Sequence, residues 1–112
     1  MAKNIIQDKS FSFALEIINV YKELVYKKKE FVLSKQLLRS GTSIGANIEE
    51  ALGGQSRKDF KAKISIAYKE TRETMYWLKL LVQSEYLDKE LFFKLLDQCE
   101  ELARILGSTK KH

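Results

Sequence analysis

Four carboxylates in the middle of the chain are the residues best suited to bind metal ions. Glu49 and Glu50 lie in one segment of helical periodicity, and Glu70 and Glu73 lie in the next. Helical bundles that hold two metal ions combine such glutamates with Glu-x-x-His pairs. The only histidine is His112, which lies outside the helical segments. The sequence therefore predicts no metal centre and no bound cofactor.

Cys99 is the only cysteine and the first candidate for a nucleophile. It lies on the apolar stripe of the last helical segment, where an inert, buried cysteine is the more common case. No Gly-rich phosphate loop is present, because there is no strand for it to follow. We therefore expect a protein that is not an enzyme. With one cysteine no internal disulfide can form, and we expect a cytoplasmic location. No apolar run approaches the roughly 18 residues that a membrane span needs.

Basic residues are in excess, with a formal net charge of +5 at pH 7. Two groups of them stand close together in the sequence: Lys27, Lys28 and Lys29, and Arg57, Lys58 and Lys61. The second group opens a segment, residues 57–79, that holds seven basic and three acidic residues. Clustered cations bind the phosphates of nucleic acids, and a helix N-terminus adds partial positive charge. The sequence predicts a basic ridge made from both groups. The alternative is a set of solvated faces whose charges balance between neighbouring helices.

A stripe of hydrogen-bonding residues follows the second helical segment, at spacings of four, four and three: Arg39, Ser43, Asn47 and Glu50. Side chains at these spacings are neighbours on a helix surface. Glu70 and Glu73 are their counterparts on the next segment. We expect Asn47 to be largely buried and hydrogen-bonded, and Glu50 or Glu73 to pair with a basic or amide group. The residues leave open whether this polar set lies inside one bundle or at a subunit interface.

Four helical segments must position these residues. The chain has no proline and only five glycines, and it shows no period-two alternation. The predicted helices span about residues 8–28, 34–53, 57–84 and 89–106, followed by a frayed tail at 108–112. Ser34, Ser56 and Asp88 are the predicted N-caps, and glycines end the second and fourth helices. Because the connections are short, consecutive helices should be antiparallel. The sequence predicts a single all-α domain, residues 1–112, folded as an up-down-up-down four-helix bundle.

Apolar spacing predicts the buried face of each helix. In the first helix the predicted stripe consists of Phe11, Ala14, Leu15, Ile18, Tyr21, Leu24 and Val25, widened by Ile17 and Val20. In the second helix, Gly41 and Gly45 interrupt the stripe, and each should cost about 1 kcal/mol relative to alanine. Glycines let helix backbones approach closely, so we expect another helix to cross there. That helix belongs either to the same subunit or to a second one.

The stretch from Gln36 to Phe60, followed by the stretch from Ile64 to Leu81, resembles the 23S rRNA intervening-sequence protein family, also called four-helix-bundle proteins. The residues that match the family pattern are Gln36, Arg39, Ser43, Ile44, Ala46, Asn47, Ile48, Glu50, Phe60, Ala67, Glu73 and Thr74. The chain departs from the pattern at Gly45, where many members have proline, and at Ala51, where many have glycine. These departures alter backbone details more than chemistry.

The resemblance implies a ring-shaped homopentamer of bundles. It also implies kinship with the accessory proteins of diversity-generating retroelements, which bind nucleic acid and a reverse transcriptase. The leading hypothesis is therefore a non-enzymatic, oligomeric protein that binds nucleic acid through its basic surface, with structured RNA as the favoured ligand. The alternative is an interaction scaffold whose ring binds another protein and no nucleic acid.

Overall fold

The computed structural model describes residues 4–111, which form four α-helices. In chain order these are α1 (Ile5–Tyr26), α2 (Leu33–Leu52), α3 (Arg57–Gln83) and α4 (Lys89–Lys111). Each helix packs against the one before it, and α4 packs against α1. Because the connecting segments are short, the helices alternate in direction and form an all-α, up-down-up-down bundle with extents of 43 × 24 × 20 Å.

The core consists of one apolar face from each helix. Leu37, Ile44 and Ile48 of α2 are fully buried at the predicted spacing. They belong to one apolar cluster with the buried residues of the other helices, which include Ile64 of α3 and Leu95 of α4. Full burial of a side chain of this size contributes roughly 1.5–3 kcal/mol, so this shared core holds the four helices in place.

The buried face of α1 is only partly the predicted one. Ile17, Val20 and Leu24 are buried as predicted. Phe13, which the predicted stripe omits, also lies in the core, whereas Phe11 and Leu15 are 64% and 50% exposed. Apolar residues surround much of α1, so their spacing alone does not select a face. The contact with α2 selects it: Ser10 is buried in α1, where its backbone lies beside Gly45.

The helix N-termini are capped by polar side chains, with one departure from prediction. The Ser56 hydroxyl accepts a hydrogen bond from the Asp59 amide, and the Asp88 carboxylate accepts one from the Leu91 amide, as predicted. At α2 the predicted cap, Ser34, is instead a buried residue of the first turn. The carboxylate of Glu30 accepts hydrogen bonds from the backbone amides of residues 32, 33 and 34, at 2.6–3.1 Å. A loop carboxylate therefore replaces the short polar cap.

The first and last helices are longer than predicted at one end each: α1 at its start and α4 at its end. α1 begins three residues earlier, because the Asn4 side chain accepts a hydrogen bond from the Gln7 amide. The predicted end of α4 at Gly107 and the predicted frayed tail are wrong for residues 108–111, which continue the helix. Tyr68 of α3 lies beside Gly107, and the Lys110 ammonium lies 5.0 Å from the centre of the Tyr68 ring. These contacts with α3 hold the last turns in place; His112 lies outside the described residues.

Candidate nucleic-acid interface

The polar set lies along the contact between α2 and α3 within one chain. Nη1 of Arg39 is 3.2 Å from Oε1 of Glu70, and Nη2 of Arg39 contacts Oε2 of Glu73. The same oxygen of Glu73 accepts a hydrogen bond from the indole N–H of Trp77 at 2.9 Å. One arginine of α2 thus holds two carboxylates of α3, and one of these carboxylates fixes the orientation of the only tryptophan.

The remaining members of the set extend this line of contacts. Lys63 Nζ lies 2.7 Å from Oε1 of Glu50, which links α3 to α2 again. Ser43 donates a hydrogen bond to the Arg39 carbonyl oxygen, and the Asn47 amide donates one to the Ser43 carbonyl oxygen at 2.8 Å. Asn47 is hydrogen-bonded, and it is mostly buried without being fully enclosed, which confirms the prediction. The polar stripe of α2 lies at the edge of the core, where its partners on α3 also meet solvent.

Gly41 and Gly45 both lie against α1 of the same chain. A Cβ atom at Gly41 would lie 2.9 Å from two side-chain carbons of Ile17, which is fully buried. A Cβ atom at Gly45 would meet Ser10 at 3.4–3.6 Å, an ordinary contact distance. The two positions therefore differ: the space at Gly41 is already occupied by Ile17, whereas Gly45 has room for a methyl group.

The two basic groups of the predicted ridge lie at opposite ends of the bundle. Lys27, Lys28 and Lys29 follow the end of α1, whereas Arg57, Lys58 and Lys61 open α3. Because α1 and α3 run in the same direction in an up-down-up-down bundle, these points are separated by most of the 43 Å length. A single continuous ridge from both groups within one chain is therefore wrong.

A different basic surface runs along α3. We define the outer face of α3 by five exposed cations and one exposed aromatic residue: Lys58, Lys61, Lys69, Arg72, Lys79 and Tyr76. At 3.6 residues per turn the five cations fall within an arc of about 80° and span about 31 Å of helix. The acidic residues of α3 lie outside this arc; Glu70 and Glu73 point towards α2, where they pair with Arg39.

The five cations of the outer face of α3 differ in their pairing from four other lysines, although Lys28, Lys29 and Lys35 likewise take part in none of the ion pairs among the described residues. Four lysines elsewhere in the described chain form ion pairs at 2.7–3.1 Å: Lys9 with Glu101, Lys27 with Glu23, Lys63 with Glu50 and Lys94 with Glu16. Within residues 4–111, none of the ion pairs involves the five cations of the outer face. Sequence reasoning missed Lys69, Arg72, Lys79 and Tyr76. Projecting segment 57–79 onto a helix would have placed them on one face with Lys58 and Lys61.

The side chains considered for catalysis or metal binding have other surroundings. Burial raises the pKa of the Cys99 thiol to about 12, with a smaller contribution from the negative charge of Glu100. Across the part of the chain that the structure describes, no group of three or more His, Cys, Asp and Glu side chains is arranged to hold a metal ion. In the same residues, no helix is long and apolar enough to cross a membrane.

The fold, the capped helices and the polar line between α2 and α3 define an all-α protein of the four-helix-bundle class. The model of the 23S rRNA-intervening sequence protein family matches residues 2–108, and the chain belongs to this family. A crystal structure of a protein of unknown function from the S23 ribosomal protein family of Bacteroides thetaiotaomicron VPI-5482 is similar, with a TM-score of 0.96 and 51% sequence identity. That match covers 97% of each chain. No curated protein matches.

Proposed function

We propose that this protein binds structured RNA through the outer face of α3, without catalysing a reaction. The observation that carries this proposal is the row of five exposed cations with no ion-pair partner among the described residues. Cations paired within a protein have already lost part of their attraction for other anions. Unpaired cations release counterions from a phosphate backbone when they bind it, and this release drives association.

The choice of RNA rests on the family and on the shape of the surface. The family is named for intervening sequences of 23S rRNA, which makes structured RNA the ligand to test first. A straight row of cations about 31 Å long can follow a phosphate backbone, and contacts of this kind position a nucleic acid without reading its bases. We therefore expect binding with little sequence preference.

The test is fluorescence anisotropy with a labelled RNA hairpin across a salt series. Five phosphate contacts should give a slope of log K against log salt of roughly −3.5 to −4.5. Lys61→Glu/Lys69→Glu should weaken the binding of all sequences alike. The matched control is Lys28→Glu/Lys29→Glu, which changes net charge equally at the opposite end of the bundle and should leave affinity nearly unchanged. Failure of the parent protein to bind at low salt, or equal losses in both variants, would contradict the proposal.

We also propose that the functional unit is a ring-shaped homopentamer. Phe11 and Leu15, two large apolar side chains of α1 that lie outside the core one helical turn apart, support self-association because exposed apolar patches mark contact surfaces. Light scattering should then give a mass about five times the 13.0 kDa of the chain. Phe11→Lys should reduce this mass while leaving the helical circular dichroism unchanged. A monomeric parent protein would refute the oligomer.

A second candidate function is that of a scaffold whose ring binds another protein. The observation that favours it is the apolar exposure at the end of the bundle opposite Arg57, where Tyr26 and Val32 are each 71% exposed. Under this alternative the basic charge complements an acidic partner protein. Two results together would favour the scaffold: the protein binds no nucleic acid at low salt, and the immobilised chain retains an acidic protein. Tyr26→Ser and Val32→Ser should then abolish this retention.

A further inference from the structure

A groove between α3 and α4 borders the outer face of α3. Its volume is about 610 Å³, and Met75 of α3 and Ala103 of α4 contribute apolar atoms to its lining. The polar and aromatic residues around it are Arg72, Tyr76, Lys79, Glu100 and Arg104. The groove is therefore concave, partly apolar and surrounded by charged groups, which is the combination that a nucleotide needs.

The charge of the groove favours an anionic ligand. Arg72, Lys79 and Arg104 are exposed, and none of the ion pairs within residues 4–111 involves them. Glu100 supplies the one carboxylate of the lining, so the cations outnumber the anions by three to one. Two of the cations are arginines, whose planar guanidinium groups bind phosphate oxygens in a bidentate manner.

Tyr76 supplies an aromatic surface in this groove. Its side chain is 55% exposed, although it contacts Trp77 edge-to-face with ring centres 5.1 Å apart. The indole of Trp77 is held in turn by its hydrogen bond to Glu73, which Arg39 pairs. The polar set thus fixes Trp77, and Trp77 supports one side of an exposed tyrosine. A tyrosine held in this way loses little conformational entropy when a base stacks on it.

We propose that this groove binds an unpaired nucleotide of the RNA, with the base stacked on Tyr76 and the adjacent phosphates on Arg72, Lys79 and Arg104. The proposal rests on the proposed function, since it concerns the same surface. It requires an unpaired nucleotide because the face of a base in a duplex is covered by its neighbours, whereas a single-stranded base is free to stack on an aromatic side chain. Loops or bulges of a structured RNA would therefore enter the groove, while helical stems would contact only the row of cations.

The experiment compares a labelled, short oligouridylate with an RNA duplex of the same length by fluorescence anisotropy. The variants are Tyr76→Ala, Tyr76→Phe and, as the matched control, Tyr26→Ala at the end of α1, a helix that does not pack against α3. Stacking on one base predicts that Tyr76→Ala weakens single-strand binding by about 5- to 150-fold. Its effect on the duplex should be much smaller. Tyr76→Phe retains the ring and should bind as the parent does, as should Tyr26→Ala.

Each outcome bears on the proposal. Trp77 is the only tryptophan and contacts Tyr76, so its emission reports on the surroundings of Tyr76 and should change when the oligouridylate binds to the parent protein. Parent-like single-strand binding by Tyr76→Ala, or equal losses for single strand and duplex, would overturn the groove while leaving salt-dependent binding to the row of cations intact. If the parent protein binds neither RNA at low salt, the proposed function fails together with the groove. Equal thermal melting of all variants establishes that lost binding does not reflect lost folding.

Discussion

Alanine substitutions at the two glycines of α2 should have opposite effects on stability. At an ordinary interior position of a helix, Gly→Ala stabilises by about 1 kcal/mol, because alanine loses less backbone entropy on folding. This gain is available at Gly45, where the new methyl group would lie 3.4–3.6 Å from Ser10. We therefore expect Gly45→Ala to raise the free energy of unfolding by up to about 1 kcal/mol.

At Gly41 the same gain is opposed by a steric clash. The new methyl carbon would lie 2.9 Å from both Cγ atoms of Ile17, whereas carbon atoms attract best at about 3.5–4.0 Å. Ile17 is fully buried, and its branched carbons lie close to the backbone, so α1 and α2 must separate. Overpacking of this kind costs about 1–3 kcal/mol. The helix-propensity gain is common to both sites, so Gly41→Ala should be less stable than Gly45→Ala by about 1–3 kcal/mol.

The assay is urea unfolding followed by circular dichroism for the parent, both single variants and the pair Gly41→Ala/Ile17→Ala. Ile17→Ala removes the two clashing carbons, so the double variant should be more stable than the sum of the single effects predicts, with a coupling of about 1–3 kcal/mol. Equal effects of alanine at Gly41 and Gly45, or strict additivity in the double variant, would refute close packing against Ile17 as the reason for the glycine.

Three further predictions follow from other contacts. Glu30→Gln should destabilise the fold by about 1–2 kcal/mol at neutral pH, because it removes the charged cap of α2. Although burial opposes ionisation of Glu30, the backbone hydrogen bonds from residues 32–34 lower its pKa below the usual value of 4.5. A carboxyl whose pKa is lowered by folding stabilises the fold at pH values above its ordinary pKa, and this contribution is lost as the pH falls towards the folded pKa. The difference in the free energy of unfolding between parent and variant, measured in urea, should therefore shrink below about pH 4.5. A difference independent of pH would contradict the capping role. Arg39→Met should cost about 1 kcal/mol or less, because the Arg39 and Glu73 side chains are 47% and 36% exposed; a loss above 3 kcal/mol in the same assay would show that the pair behaves as a buried one. Cys99 should be unreactive towards Ellman's reagent at pH 8 in the folded protein, since a thiol with a pKa near 12 is ionised in only about one molecule in ten thousand. In urea the same thiol should react at once. Rapid reaction of the folded protein would contradict the burial of Cys99.

Local signals in the sequence predict the helices better than they predict which surfaces meet. Ser56 and Asp88 cap their helices as expected because an N-cap bonds only to the next few residues. The cap of α2 was mispredicted because Glu30 precedes the helix in a loop, and a loop's path depends on the packed bundle. The face of α1 was predicted only in part because α1 is apolar on several sides, and only its fit to Gly41 and Gly45 decides which residues are buried.

The candidate site was predictable in its composition but not in its geometry. The excess of basic residues in segment 57–79 is visible in the sequence, whereas the separation of Lys27–Lys29 from Arg57 by the length of the bundle follows only from the helix directions. Ion pairing cannot be read from the sequence either: Lys63 and Lys69 are both lysines of α3, but only Lys63 lies beside a carboxylate of α2. The position of Tyr76 over the groove depends on α4, which is distant in sequence.

Ultraviolet cross-linking of a structured RNA to the parent protein, followed by tryptic digestion and mass spectrometry, tests RNA binding on the outer face of α3 most directly. Two tryptic peptides serve as opposing reporters: residues 73–79 contain Tyr76, and residues 30–35 contain Phe31, which is 56% exposed in the segment between α1 and α2. Binding along α3 predicts cross-linked nucleotides on peptide 73–79, with a yield that falls as salt rises. Cross-links confined to peptide 30–35, or none at low salt, would contradict it.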